Sequence, residues 1–367
     1  MDCSKTVTKS RTPIKILIGG SPCTKWSIAQ KNGREVLPEG IGWELFENYR
    51  IAKEKFQPNI FLYENNKSAA QPIKDAIYSA LGGGKDSSVR LTHIDSALVS
   101  AQHRQRFYVT NFGDIEQPKD RGILLRDVLE SGEDLSCREK AYTLTASYDG
   151  AVAWNTLERN QRTMVAEPVR IGTIESNVKN KSHDSKQYRV YSPDGKATTL
   201  CGQGGGVGAK TGLYACPINE IDGKPIYTVK NGLITIKDKQ YPVKLRDGYY
   251  IIRKLTPTEC ERLQTMPDGY TAAVSNSQRY KALGNGWTAE VIIHILNHAL
   301  RDVPKDRELV VLSMYDGIAT GRYCLDKMGF TNVKYYAYEI DPYAIKIAMS
   351  NYPDIVQCGD AFQIRNF

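Results

Sequence analysis

VVLSMYDGIATG, residues 310–321, decides the fold. An apolar run rich in Val and Leu passes directly into a glycine-bearing turn and then into small residues that open a helix. In a strand–turn–helix unit of this kind, glycine lets the backbone approach a ligand at the helix N-terminus. YYAYEID (335–341) is a second strand ending in acid, and CGDAF (358–362) follows a third. Neither a GxGxxG nor a GxxxxGK[ST] pattern is present, which excludes a dinucleotide fingerprint and a phosphate-binding P-loop. Glu339 falls about 20 residues after the turn, where an acid accepts ribose hydroxyls. Asp360, at the end of the third strand, is placed to meet an exocyclic amine. Acids at these strand ends suit a nucleoside with an uncharged ribose better than a phosphate.

At the other end of the chain ILIGGSPC (16–23) is a buried strand that runs into Gly19, Gly20, Ser21 and Pro22. These residues shape a loop that presents the Cys23 thiol. NIFLYE (59–64) is another strand, ending at Glu64-Asn65, and Gln102-His103-Arg104-Gln105-Arg106 precedes RFYVTNF (106–112). A thiol, a carboxyl and two guanidiniums thus gather at the C-terminal edge of one sheet, where open α/β sheets place their sites. Between these strands 42–56 and 72–81 have helical apolar spacing, and strand and helix alternate, which predicts a mostly parallel sheet covered by helices. From about residue 137 the helical signal fades into a loop-rich β segment, including CGQGGGVG (201–208), that lasts to about residue 250. Helical order returns at LTPTECERLQ (255–264), where Thr256, Pro257 and Glu259 spell an N-cap, a first-turn proline and a capping box. An amphipathic helix at 288–300 and a polar linker at 301–308 lead back to the opening strand. The expected domains are therefore 1–137, 138–250 and 251–367.

The chain has 367 residues, a formal charge of +8, eight cysteines and five histidines. No stretch reaches the roughly 20 apolar residues of a membrane helix, and the first residues lack the apolar core of a signal peptide. The cysteines form no CxxC and no pairing with histidine, which favours a reducing cytoplasm and argues against a metal. Residues 138–254 hold 19 Lys/Arg against 11 Asp/Glu, which accounts for the whole surplus. A basic middle beside a neutral remainder fits either a polyanion-binding face or a solvated surface.

Taken together, these segments resemble the DNA cytosine-C5 methyltransferase family over nearly the whole chain except the variable middle. GGSPC resembles its Pro-Cys nucleophile motif, YENN its Glu-Asn-Val motif, and SAQHRQRFYVTN its Gln-x-Arg-x-Arg motif. RKLTPTECERLQTMPDGY (253–270) and LGNGWTAEVI (283–292) resemble the last two conserved blocks, and MYDGIATG, YEID and GD resemble the S-adenosylmethionine blocks that normally come first. The wording is similar to phage and bacterial enzymes that resemble the animal de novo DNA methyltransferases. The order is permuted, with the nucleophile block ahead of the donor blocks.

The resemblance implies a Rossmann-like, S-adenosylmethionine-dependent sheet with an inserted target-recognition domain at 138–250. It implies transfer of methyl to C5 of cytosine in duplex DNA, in a bacterial or phage-infected cytoplasm, through a Cys23 adduct on a flipped-out base. Cys23, Glu64, Arg104 and Arg106 would be catalytic. Tyr315, Asp316, Gly317, Ile318, Thr320, Glu339, Ile340, Asp360, Asn285 and Trp287 would hold the donor, and Pro22, Asn65 and Gln203 would meet substrate. Neither a metal nor a membrane is implied. Two positions depart from the pattern: Asn66 replaces Val, and Ala319 replaces the second glycine of the FxGxG turn. A tRNA cytosine-C5 methyltransferase and an inactive DNA-binding paralogue are the competing readings.

Overall fold

The computed structural model describes residues 12–27, 33–136, 138–168, 190–191, 213–214, 220–221, 224–236 and 238–366. Gln203 and the CGQGGGVG stretch lie outside the described residues. Two compact units divide the chain. The first comprises 1–128, 139–150 and 256–367, and the second 129–138 and 151–255. These bounds differ from the expected 137/138 and 250/251. Residues 139–150 join the first unit because the Ala141 N–H donates to the Ala101 carbonyl and the Leu144 N–H to the Gln102 side chain.

In the first unit a seven-stranded sheet uses β1 (Ile14–Gly19), β2 (Ile60–Asn66), β3 (Arg90–Asp95), β4 (Gln105–Thr110), β5 (Leu309–Met314), β6 (Val333–Tyr338) and β7 (Val356–Gly359). Their order is β7-β6-β5-β1-β2-β4-β3. β1 lies at the centre, parallel to β5 in the register Ile14↔Leu309 and parallel to β2 on its other side. Ile16, Leu17 and Ile18 are consequently buried on both faces, as a central parallel strand requires. β6 and β7 continue the parallel arrangement. The third strand expected ahead of CGDAF is β7, beside the YYAYEID strand β6, and the strand that opens VVLSMYDGIATG, β5, lies between β6 and β1.

β3 and β4 depart from the expected parallel pattern. Both pairs, β2 with β4 and β3 with β4, are antiparallel. Only nine residues join β3 to β4, fewer than the dozen or so a parallel crossover needs.

Helices α1 (Gly40–Phe56), α2 (Gln71–Ala80), α3 (Pro257–Leu263), α4 (Asn276–Asn285), α5 (Ala289–Leu300), α6 (Thr320–Lys327) and α7 (Pro342–Asn351) belong to the same unit. Phe46 and Tyr49 of α1 pack edge-on against Tyr63 of β2 at ring-centroid distances of 5.4 and 5.0 Å. The capping box read at the start of α3 is present: the Glu259 N–H donates to Thr256 Oγ1 at 3.1 Å and the Thr256 N–H to Glu259 Oε2 at 2.8 Å.

The second unit holds an antiparallel sheet in the order 239–242, 233–236, 224–230, 248–254, 164–168 and 133–134. Its hairpin between 224–230 and 233–236 turns on Asn231-Gly232, both at positive φ. This is the two-residue turn whose twist matches the flanking strands.

Candidate active site

β1 ends in two glycines because the chain must leave the strand against Glu64. A Cβ at Gly20 would stand 2.4 Å from the Glu64 carbonyl oxygen and 2.9 Å from Oε2. The loop that follows is held from below by β2. Tyr63 and Asn65 are two residues apart and share one face of the strand. Asn65 Nδ2 donates to the Ser21 carbonyl at 2.9 Å and to Tyr63 OH at 3.1 Å, and the Ser21 and Tyr63 hydroxyls lie 2.7 Å apart. Asn65 is therefore buried beneath the loop and supports it. Asn66, where the resemblance expects Val, accepts from the Ser68 N–H at 3.0 Å and turns the chain out of β2.

Glu64 points to the opposite face. Its Oε1 meets Arg106 Nε at 3.0 Å, and its Oε2 accepts from Trp287 Nε1 at 3.1 Å. Both members of the Glu64–Arg106 pair are nearly buried. Arg104, two residues before Arg106, is buried and faces backbone. It donates to the carbonyls of Leu144 at 2.9 Å, Gly284 at 3.1 Å and Gly286 at 2.7 Å. Burial, with Arg106 nearby, lowers its pKa to about 9, so it remains a cation at neutral pH. The half-buried Cys23 thiol is pushed up chiefly by burial and further by Glu64, while Arg106 and Arg104 draw it down.

The turn after β5 is wound through alternating left-handed residues: Tyr315, Gly317 and Ala319 all have φ between 60° and 66°. That alternation explains why a family turn places glycine at the third and fifth positions. Ala319 pays a penalty there, since an L-residue in this region costs roughly 1–2 kcal/mol. Ala319→Gly is expected to raise the melting temperature by about 2 °C, after allowance for the larger entropy glycine loses on folding. Thermal denaturation checks this, and an unchanged or lower value contradicts it.

Glu339, at the end of β6, accepts from the Gly317 N–H through Oε2 and from the Ile340 and Asp341 N–H groups through Oε1, each at 2.8 Å. Asp360 is exposed and caps the last turn through the Phe362 N–H at 2.9 Å. Ile340 is 69% exposed.

Asp316 Oδ1 lies 2.6 Å from both the Ser313 and Tyr335 hydroxyls, whereas Oδ2 is buried and has no hydrogen-bond partner among the described residues. Burial raises its pKa from 3.8 to about 6. Because the folded value is the higher one, the associated stability is present below about pH 4 and is lost as pH rises through about 6. The total is about 3 kcal/mol. Urea midpoints should therefore fall more for the wild type than for Asp316→Asn between pH 5 and 7.5. Parallel pH curves for the two proteins would contradict this.

One cavity of about 500 Å³ brings these groups together. Of the catalytic, donor-binding and substrate-binding residues expected from the sequence, all line it except Asn65, which lies beneath the loop, and Gln203, which lies outside the described residues. Both ends of the chain therefore contribute to one chamber. Sequence reasoning missed Tyr63, Ser313 and Tyr335, whose hydroxyls brace Ser21 and Asp316. For Tyr63 the signal was the two-residue spacing to Asn65.

A model of the C-5 cytosine-specific DNA methylase family matches residues 2–301. The chain belongs to this family. It is a DNA cytosine-5-methyltransferase. The type II methyltransferase M.HhaI of Haemophilus parahaemolyticus is 25% identical over 299 residues, covering 77% of this chain and 73% of that protein. The type II methyltransferase M.HpaII of Haemophilus parainfluenzae is also 25% identical, over 77% of this chain and 72% of that protein. The orphan methyltransferase M.SPBetaI of Bacillus phage SPbeta is 30% identical over 48% of this chain and 42% of its own length. The family match ends where the polar linker 301–308 begins, and the strands β5, β6 and β7 lie beyond it. Among the described residues, no helix is long and apolar enough to cross a membrane.

Proposed function

We propose that the protein methylates C5 of cytosine in a specific sequence of duplex DNA, using Cys23 as nucleophile and S-adenosylmethionine as donor. The observation that carries this reading is the single cavity in which Cys23, Glu64 and Arg106 stand with Glu339 and Asp360.

The residues present fit the donor. Among the described residues, Gly317 has open space where a Cβ would point and the buried Asp316 Oδ2 has no partner. Tyr315, Asp316, Gly317, Ile318 and Thr320 would hold it from the turn, Glu339, Ile340 and Asp360 from the ends of the neighbouring strands, Asn285 from the end of α4 and Trp287 from the loop after it. When bound, the donor supplies an electrophilic methyl group on a sulfonium centre.

The chain's own groups would prepare the base. A cytosine inside a duplex cannot reach this cavity, so the base must be flipped out. The Cys23 thiolate would form a bond to C6, and the C5–C6 π electrons would become available at C5. Glu64 would hydrogen-bond N3 and the exocyclic amine as N3 gains positive character, and Arg106 would hold Glu64 and meet O2. Once C5 has used those electrons to take up the methyl group, loss of the C5 proton with cleavage of the S–C6 bond would restore the ring and release the Cys23 thiolate. Pro22 would border the base, and Asn65 would hold the loop that carries Cys23.

Two further parts of the reading rest on chain order and charge. The chain is a circular permutation of the family order, in which 309–367 supplies the donor strands that a conventional member carries first. The parallel pairing of β5 with β1 and the end of the family match at residue 301 support this. The second unit would be the target-recognition domain, its basic surplus meeting phosphates, which position a duplex without specifying its sequence.

The test is methyl transfer from labelled donor by the purified protein, with cytosine-containing duplex DNA and tRNA as parallel acceptors. Label at C5 of duplex cytosine is expected, and bisulfite sequencing of host DNA would give the site. Label on tRNA alone, or on neither, overturns the proposal.

A further inference from the structure

Arg104 and Arg106 are two residues apart on β4 and both reach the cavity. Their side chains converge on the two sides of one hydrogen bond. Arg106 Nε fixes Glu64 Oε1 at 3.0 Å. Arg104 fixes the backbone from which Trp287 extends, through the carbonyls of Gly284 and Gly286. Trp287 closes the circuit by donating its indole N–H to Glu64 Oε2 at 3.1 Å. Gln264 Nε2 adds a second clamp on this backbone at the Leu283 carbonyl, 2.6 Å away. On the other side Gly20 leaves no room for a Cβ beside Oε2. Each oxygen of the carboxylate is thus held by a donor from a different part of the chain.

We infer that Trp287 is a positioning residue for Glu64, its indole N–H setting the plane of the carboxylate that faces the base beside Cys23. This deepens the methyltransferase reading and rests on it. A residue that only walls the donor pocket needs its ring and not its N–H. A residue that orients Glu64 needs the N–H. The two roles separate in Trp287→Phe, which keeps an aromatic ring and loses the donor.

The readout is the rate of covalent capture on duplex DNA carrying 5-fluorocytosine, with S-adenosylmethionine saturating, alongside calorimetric binding of S-adenosylhomocysteine. For Trp287→Phe the capture rate should fall by about tenfold or more while affinity stays within about threefold, because a hydrogen bond to a charged group is lost and ring contact is kept. Trp287→His, which restores a ring N–H, should recover part of the rate, and it serves as the second variant if the Phe protein melts early. A capture rate within about twofold of wild type in Trp287→Phe overturns the inference, whatever happens to affinity. The same holds if the Phe and His proteins capture equally slowly. Cys23→Ser separates this from failure of the broader reading. If Cys23→Ser still methylates DNA, the mechanism falls. If it is dead and Trp287→Phe captures normally, only the inference falls.

Discussion

Cys23→Ser is expected to abolish methyl transfer to duplex DNA by at least about four orders of magnitude, the scale seen when a covalent nucleophile is removed. The replacement is nearly isosteric and the loop beneath it is untouched, because Ser21, Tyr63 and Asn65 hold that loop without using the thiol. The melting temperature and affinity for S-adenosylhomocysteine should therefore match the wild type. A serine hydroxyl is a far weaker acid than a thiol, so even the favourable charge of Arg106 would leave it protonated. Transfer within about tenfold of wild type would remove Cys23 from the chemistry. Cys260 and Cys324, both buried, should be replaceable by alanine without loss of the covalent step.

Arg104→Met should be the most destabilising of the substitutions at the site. The methionine side chain fills much of the same volume but leaves the carbonyls of Leu144, Gly284 and Gly286 without their donor. A buried acceptor left without a partner costs about 1–3 kcal/mol, and one of these carbonyls keeps partial compensation from Gln264, so a loss of roughly 3–5 kcal/mol is expected. Urea unfolding measures it. Turnover should fall as well, since the backbone around Trp287 loosens. A loss under about 1 kcal/mol would mean that other donors reach those carbonyls.

Much of this arrangement was legible in the sequence because it is written in strand ends. Glycines at the exits of β1 and β5, an acid near the end of β2 and another just after β6, and the Thr256–Glu259 box each have a local physical cause that a sequence pattern displays. The antiparallel β3 and β4 were not legible, because strand direction depends on connection length and pairing, and apolar runs carry no direction. The hydrogen-bond partners of Arg104 and Trp287 were hidden for a related reason. From sequence, Arg104 is a guanidinium at a sheet edge, and Trp287 an aromatic expected beside the donor. Their partners are the carbonyls of Gly284 and Gly286, about 180 residues from Arg104, and the Glu64 carboxylate, about 220 residues from Trp287. No local pattern encodes such pairings. The left-handed backbone at Ala319 was foreshadowed only by the glycine that the family turn carries there.

The central place of β1 sets a timetable for folding. Its register partner Leu309 is 295 residues later in the chain, and synthesis proceeds at about 5–20 residues per second, so the strand waits roughly 15–60 s for its neighbour to emerge. During that interval Ile16, Leu17 and Ile18 can pair only with β2, leaving an apolar edge open to other chains. Contacts of such long range also slow the final closure. Expression at low temperature, or with holdase chaperones in excess, should consequently raise the soluble yield of this protein more than it does for a relative in which the equivalent strands are made close together.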